Sequence, residues 1–210
     1  TALQYAQDNV DRVRFLLEQI TISNSLGHFD GSVTMGREAC QLLDCSLPET
    51  EQDILTETAT LVAPLADSGI MSTFALLPEA TDPKAIIMLN LYSELLDPSF
   101  FSDQFNLYFL LSGRAVALAL QRGQTASICS PLGTLAFYFY AQNRFDLASQ
   151  YENQMLALAE QNPDASSSIR ALAQGLWLTL HCTQPVDTLQ SLALNNIRHG
   201  IRRGELNYTG

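Results

Sequence analysis

The spacing of the apolar residues constrains this chain most. Val10, Val13, Leu17 and Ile20 recur at three and four positions, and Phe29, Val33, Gly36, Cys40 and Leu43 repeat that spacing, with Ala39 and Leu42 widening the stripe. This is the period of one face of an α-helix, not the alternation of a half-buried strand. It predicts a helix over 3–26 that Gly27 ends and a second from Phe29 that Pro48 closes. The turn Gly27-His28-Phe29-Asp30-Gly31 joins them into a hairpin. A third helix is expected over 50–65 through Ile54, Thr58, Leu61, Val62 and Leu65, and a shorter one through Ile70, Phe74 and Leu77.

Prolines punctuate the middle of the chain. Asp82-Pro83 reads as a helix N-cap followed by proline at the first helical position, where its missing N–H costs nothing. Asp97-Pro98 repeats the dipeptide, which brackets one helix between the two and predicts that a longer one starts there, through Phe100, Phe101, Phe105, Tyr108 and Phe109 to Gly123. The aromatic run 137–140 has strand propensity, but a lone strand would lack a partner, so a helix is expected over 125–142. Phe145, Ala148, Tyr151, Met155 and Leu158 mark the next helix, before Pro163, and two more complete about nine or ten. Such helices pair as antiparallel hairpins.

Composition sets the outer bounds. The chain has 210 residues, 47% hydrophobic and 16% charged, with a net charge of −11. That excess of negative charge repels phosphate backbones and anionic lipids, so neither nucleic acid nor membrane insertion is expected. The basic cluster Arg198, Arg202 and Arg203 suits the C-terminal end of a helix. Cys40, Cys45, Cys129 and Cys182 form no CxxC pair and read as reduced, mostly buried thiols, which points to the cytoplasm. The first residue is Thr1 and the chain stops at Gly210 without a closing element, so a piece of a longer chain is expected.

Several residues invite a chemical reading. His28 and Asp30 lie two apart on the hairpin turn, but no nucleophile accompanies them at a set spacing, and a turn histidine beside a helix-starting aspartate accounts for both. His181-Cys182 with Cys40 and Cys45 lacks the close ligand pairs of structural zinc, and two cysteines five apart do not share one helix face in ligand register. His199 is followed by glycine where phospho-accepting histidine helices carry an acidic residue. No P-loop, GxSxG or HExxH pattern occurs. Catalytic, cofactor and metal residues are therefore all read as none. The aromatics offer a candidate interaction or pocket surface at Phe105, Tyr108, Tyr138 and Tyr140, although aromatics at helical spacing mostly build core.

Two segments, 26–43 and 140–158, share a layout: a helix end, a few polar or glycine residues, phenylalanine, then a small residue three later, Ser32 or Ala148. This resembles half of a tetratricopeptide-type hairpin with an irregular period. Beyond that layout, LGHFDGSVTMGREACQLLDCSLPE (26–49), LLPEATDPKAIIMLNLYSELLDPSFF (76–101), the stretch 111–160 and GIRRGELNYTG (200–210) resemble the helical region of very large multidomain bacterial signalling proteins. In that family a serine/threonine-kinase-like domain and an AAA- or STAND-type ATPase precede a tetratricopeptide-like superhelix, and GAF and sensor histidine kinase domains come after it. No catalytic motif of the family falls inside this chain.

The expectation is an all-α fold, residues 1–210 forming one divergent tetratricopeptide-like superhelix of stacked hairpins. The resemblance implies a noncatalytic scaffold of a signalling kinase whose partners are neighbouring domains or a protein or peptide. A small-molecule sensor with an aromatic-lined pocket is the alternative. An all-helical enzyme would need acidic or histidine clusters that the sequence does not offer.

Overall fold

The structure, a computed structural model, describes residues 8–67 and 69–205. The expected helical residues 3–7 and the closing 206–210, which carry the end of the RGELNYTG motif, lie outside the described residues. Among the described residues the fold is all-α: α1 (Asn9–Ser25), α2 (Phe29–Leu42), α3 (Glu51–Leu65), α4 (Ile70–Phe74), α5 (Pro83–Glu94), α6 (Leu96–Phe101), α7 (Phe105–Arg122), α8 (Cys129–Ala141), α9 (Phe145–Gln161), α10 (Ser166–Leu178), α11 (Leu180–Thr183) and α12 (Val186–Arg203). A turn of 3-10 helix, Ala126–Ile128, leads into α8. The number among the described residues exceeds the expected nine or ten because α6 and α11 are separate pieces of six residues or fewer, whereas the short α4 was expected. None of the described helices is long and apolar enough to cross a membrane.

The helices group into two compact units. The first takes its described residues from 8–65 and 78–125, the second from 66–77 and 126–205. In the first, α1 lies against α2, α7 packs on α3 and α5, and α6 touches α2 and α7. Its core includes Ile20, Leu89, Leu91, Leu95, Leu107, Leu110 and Val116, all essentially inaccessible to water. Each such side chain contributes about 1.5–3 kcal/mol by leaving water. Gly36 belongs to the buried stripe of α2 because a Cβ there would collide with the Leu95 side chain. In the second unit α8 runs along α9, α10 packs on α8, α9 and α12, and α4 rests on α9. Phe139, Tyr151, Met155 and Ile169 are fully buried there.

Local rules account for most helix ends. Asp82 caps α5 as expected, its Oδ1 accepting the Lys84 N–H at 3.0 Å with Pro83 next in line. Thr50 does the same for α3, accepting the Asp53 N–H at 3.1 Å. Asp97-Pro98 behaves differently from its expectation. Leu95, at φ −85° and ψ −7°, ends α5 and opens α6 without leaving the helical region, so Asp97 and Pro98 fall inside the first turn of α6 and Asp97 is buried. Proline is tolerated there because first-turn N–H groups have no intrahelical partner. The long aromatic helix expected from Asp97 is likewise broken: α6 stops at Phe101 and α7 begins at Phe105. The second helix stops at Leu42, short of Pro48.

One device makes these breaks. Gly27, Asp103 and Asn143 all take positive φ, 75°, 58° and 59°. In each case the next residue, His28, Gln104 or Arg144, donates its N–H to the carbonyl five residues back, Ser23, Ser99 or Phe139, always at 2.9 Å. Gly27, Asp103 and Asn143 donate to Asn24, Phe100 and Tyr140 at 3.0, 3.2 and 2.9 Å. These are the two hydrogen bonds of the Schellman helix ending. Phenylalanine then opens the next helix each time, as Phe29, Phe105 and Phe145. Asp44 (φ 59°) and Gly204 (φ 78°) end α2 and α12 by the same two-bond pattern, and after Asp44 the next helix opens only at Glu51. Gly123 (φ 93°) ends α7 otherwise: Gln124 exchanges hydrogen bonds of 2.9 Å with Pro78 and Ala80 as the chain passes that segment.

Candidate functional site

The four aromatic candidates occupy different environments. Phe105 and Tyr108 belong to the first unit, where Phe100 packs edge-on against Phe101, Phe105 and Tyr108 with centroids 5.5, 5.3 and 5.5 Å away. Phe101 stacks on Phe29 at 4.9 Å, so two of the corner phenylalanines share one cluster. Tyr108 is only 1% exposed because it sits on the inner face of α7, whereas Phe105, at the corner, is 42% exposed. Tyr138 and Tyr140 belong to the second unit and are half-buried on α8. Tyr140 packs edge-on against the corner residue Phe145 at 5.3 Å, and its hydroxyl meets the Cys182 thiol, which raises the Tyr140 pKa.

Two open clefts adjoin the corners. One, of about 390 Å³, is lined by Arg37, Glu49, Glu51, Asp103, Phe105 and Asn106 among others. Its walls tie to each other: Arg37 donates to the Pro48 carbonyl at 2.8 Å and Asn106 to Glu51 at 2.8 Å. The other, of about 290 Å³, lies along Asn143–Leu147. Both are open and carry charged residues on their walls, unlike an enclosed apolar ligand cavity.

A more unusual arrangement surrounds the end of α2. Cys40 and Cys45 occupy the two positions that the Schellman ending sets side by side, with the Cys45 N–H on the Cys40 carbonyl at 3.0 Å. Cys40 is fully buried, and Cys45 half-buried. The Cys45 Sγ lies 3.3 Å from the Cys40 carbonyl oxygen, and the Cys40 thiol and the Tyr92 hydroxyl of α5 both act on the Cys45 thiol. Arg114 of α7 braces the same strip: its Nε donates to Glu57 at 2.6 Å, and its two terminal nitrogens to the Cys45 and Ser46 carbonyls at 2.7 and 3.0 Å. Burial alone would lower the Arg114 pKa, but the Glu57 carboxylate and Tyr92 outweigh it and the pKa is raised.

These contacts separate the two thiols chemically. The hydrogen bond from Cys40, against burial, and then Tyr92, Arg114 and Lys84 pull the Cys45 thiol down to about 6. The Cys40 carbonyl, 3.3 Å from Cys45 Sγ, accepts the S–H and works against this, but it is neutral and outnumbered. Cys40 moves strongly upward, first because it is the donor to Cys45 and then through burial. Sequence reading missed this pair by placing both cysteines within one helix. Asp44, a residue suited to positive φ just past a buried stripe, was the available signal.

The remaining chemical candidates make the following contacts. His28 and Asp30 are exposed at the first corner, where His28 provides backbone to the Schellman ending. His199 Nδ1 lies 2.8 Å from Asp164 Oδ1, and this contact holds the Asp164 carboxyl below its usual range. Arg203 donates to the Asp164 carbonyl at 2.7 Å. Among the described residues no three His, Cys, Asp or Glu side chains converge as metal ligands would. Compared with protein-family models, curated proteins and solved structures, the chain finds no match.

Proposed function

We propose that this chain is a noncatalytic helical-repeat region of a larger signal-transduction polypeptide, where it binds a neighbouring domain or a protein partner. The observation that carries the reading is the outer face of α12. Leu194, Ile197 and Ile201, spaced three and four apart, are 48%, 36% and 60% exposed, although the opposite face of the helix packs through Asn196 and Gly200. An apolar stripe left in water on an otherwise packed helix is the surface that a further helix covers. The recurring corner, a positive-φ residue followed two positions later by phenylalanine, supports a repeat architecture. The family resemblance supplies the context of kinase and ATPase domains in cis.

In this reading the hairpins stack into a superhelix, and a small change in its pitch conveys the occupancy of one domain to another. Hydrogen exchange on the signalling polypeptide, with and without nucleotide, tests it. Exchange at α12 should change at least severalfold between the two states. Identical exchange throughout α12 would remove the coupling.

A further inference from the structure

We propose that Cys40 and Cys45 form a peroxide-responsive dithiol, in which Cys45 is the site of attack and Cys40 the resolving thiol. The proposal does not depend on the scaffold reading. It rests on geometry: the backbone ending of α2 sets the two residues side by side, with the Cys45 N–H on the Cys40 carbonyl at 3.0 Å and the Cys45 Sγ 3.3 Å from the same oxygen. The two differ in access as attacker and resolver should, Cys45 being half-buried and Cys40 sealed. Around the pair stand Tyr92 and Lys84 on α5, Arg114 on α7, Glu57 on α3, Arg37 on α2 and Asp44 at the turn. Burial and the Cys40 carbonyl, which accepts the Cys45 S–H, oppose the Cys45 thiolate, but the Cys40 S–H, the Tyr92 hydroxyl and the Arg114 and Lys84 charges outweigh them in its favour. Thiolate, not thiol, is the nucleophile.

The chemistry balances with a hydroperoxide as oxidant. The Cys45 thiolate attacks one peroxide oxygen and the O–O bond breaks; hydroxide, or the alkoxide of an organic hydroperoxide, leaves and takes a proton from water. Cys45 is then a sulfenic acid, oxidised by two electrons, and the peroxide is reduced. The Cys40 sulfur attacks Cys45 Sγ, the S–O bond breaks, and the hydroxyl leaves with the Cys40 proton as water. The product is a Cys40–Cys45 disulfide, which external thiols return to the dithiol.

Cys182, exposed on α11, provides an internal comparison. The folded, fully reduced chain is treated with a few equivalents of hydrogen peroxide at pH 7, quenched by alkylation in denaturant, and mapped by mass spectrometry. Cys45 is expected to be consumed about tenfold faster than Cys182 despite lower exposure, with a peptide crosslink between Cys40 and Cys45 as product. In the Cys40→Ser variant the sulfenic acid should persist and be trapped by a 1,3-dione. The Tyr92→Phe variant, which keeps the ring, should shift the pH profile of Cys45 alkylation upward. Faster loss of Cys182 than of Cys45, or consumption of Cys45 without a Cys40 crosslink in the unsubstituted chain, would overturn the proposal whether or not the variants fold.

Discussion

Arg144 stands over the ring of Phe139, its guanidinium carbon 5.5 Å from the centroid, because the backbone puts it there: the Arg144 N–H donates to the Phe139 carbonyl at 2.9 Å. Cys45 and Cys40 hold the same relationship at the end of α2. A single helix-ending motif thus sets two side chains five residues apart against each other, as a cation on a ring in one unit and as a pair of thiols in the other.

The positive-φ residues at these corners are the first target. Asn143→Gly and Asp103→Gly should be neutral or slightly stabilising in urea denaturation, since glycine meets no Cβ penalty in that region. Asn143→Val and Asp103→Val should cost about 1–2 kcal/mol each. Equal effects of glycine and valine would mean that the corner conformation is not what limits stability.

Gly123 and Gly204 separate conformational strain from collision. Both have positive φ, but a Cβ on Gly204 meets nothing within 4 Å, whereas one on Gly123 would lie 2.8 Å from the Pro78 carbonyl oxygen and 2.9 Å from the Ala80 nitrogen. Gly204→Ala should cost about 1 kcal/mol by φ alone. Gly123→Ala should cost about 3 kcal/mol, because a backbone contact has no rotamer to yield. Thermal melts of the two variants give the comparison directly.

Asp82 tests how far local rules hold. Asp82→Ala removes the acceptor of the Lys84 N–H and should cost about 1 kcal/mol, while Asp82→Asn should retain most of the cap.

The same dipeptide shows where sequence reading stops. Asp82-Pro83 and Asp97-Pro98 are locally alike, and only the first caps a helix. The difference lies upstream: a loop precedes Asp82, whereas α5 arrives directly at Leu95, leaving Asp97 no non-helical residue to occupy. Helical character and the buried stripes of α2, α3 and α9 were legible from spacing alone. The corner at Ser102–Gln104 was not, because Asp103 does there what Gly27 does at the first corner, and aspartate takes positive φ less often than glycine, so it marks such an ending only weakly. Its kinship with the other two shows only when Phe29, Phe105 and Phe145 are aligned at the first position of their helices. Of the four aromatic candidates, Tyr108 lies in the core and Phe105 half in solvent. Spacing could not distinguish them, since both come after the same corner.

Burial of Cys129 gives a pH dependence. Its thiol is fully inaccessible and donates to the Met155 carbonyl at 3.4 Å; burial pushes its pKa from 9.0 up to about 12, partly offset by the neighbouring Ser168 side chain. Between those values the unfolded chain releases the proton and the folded chain keeps it. The stabilisation is therefore complete below pH 9 and is lost as pH rises toward 12, with a slope of up to about 1.4 kcal/mol per pH unit. Urea denaturation from pH 8 to 11 should show a shallower alkaline decline for Cys129→Ala than for the unsubstituted chain. Parallel declines would place the alkaline sensitivity elsewhere.

The most direct test of the proposed binding role uses the exposed stripe of α12. A photoreactive phenylalanine analogue at Ile197, within the proposed signalling polypeptide, is compared with the same group at Asn195, which is exposed on the same helix but away from the stripe. Crosslinks from position 197 to one defined peptide, of a neighbouring domain or a partner protein, with none from 195, are the expected result. No crosslink at 197, or the same scattered products from both positions, would contradict a docking role for this face.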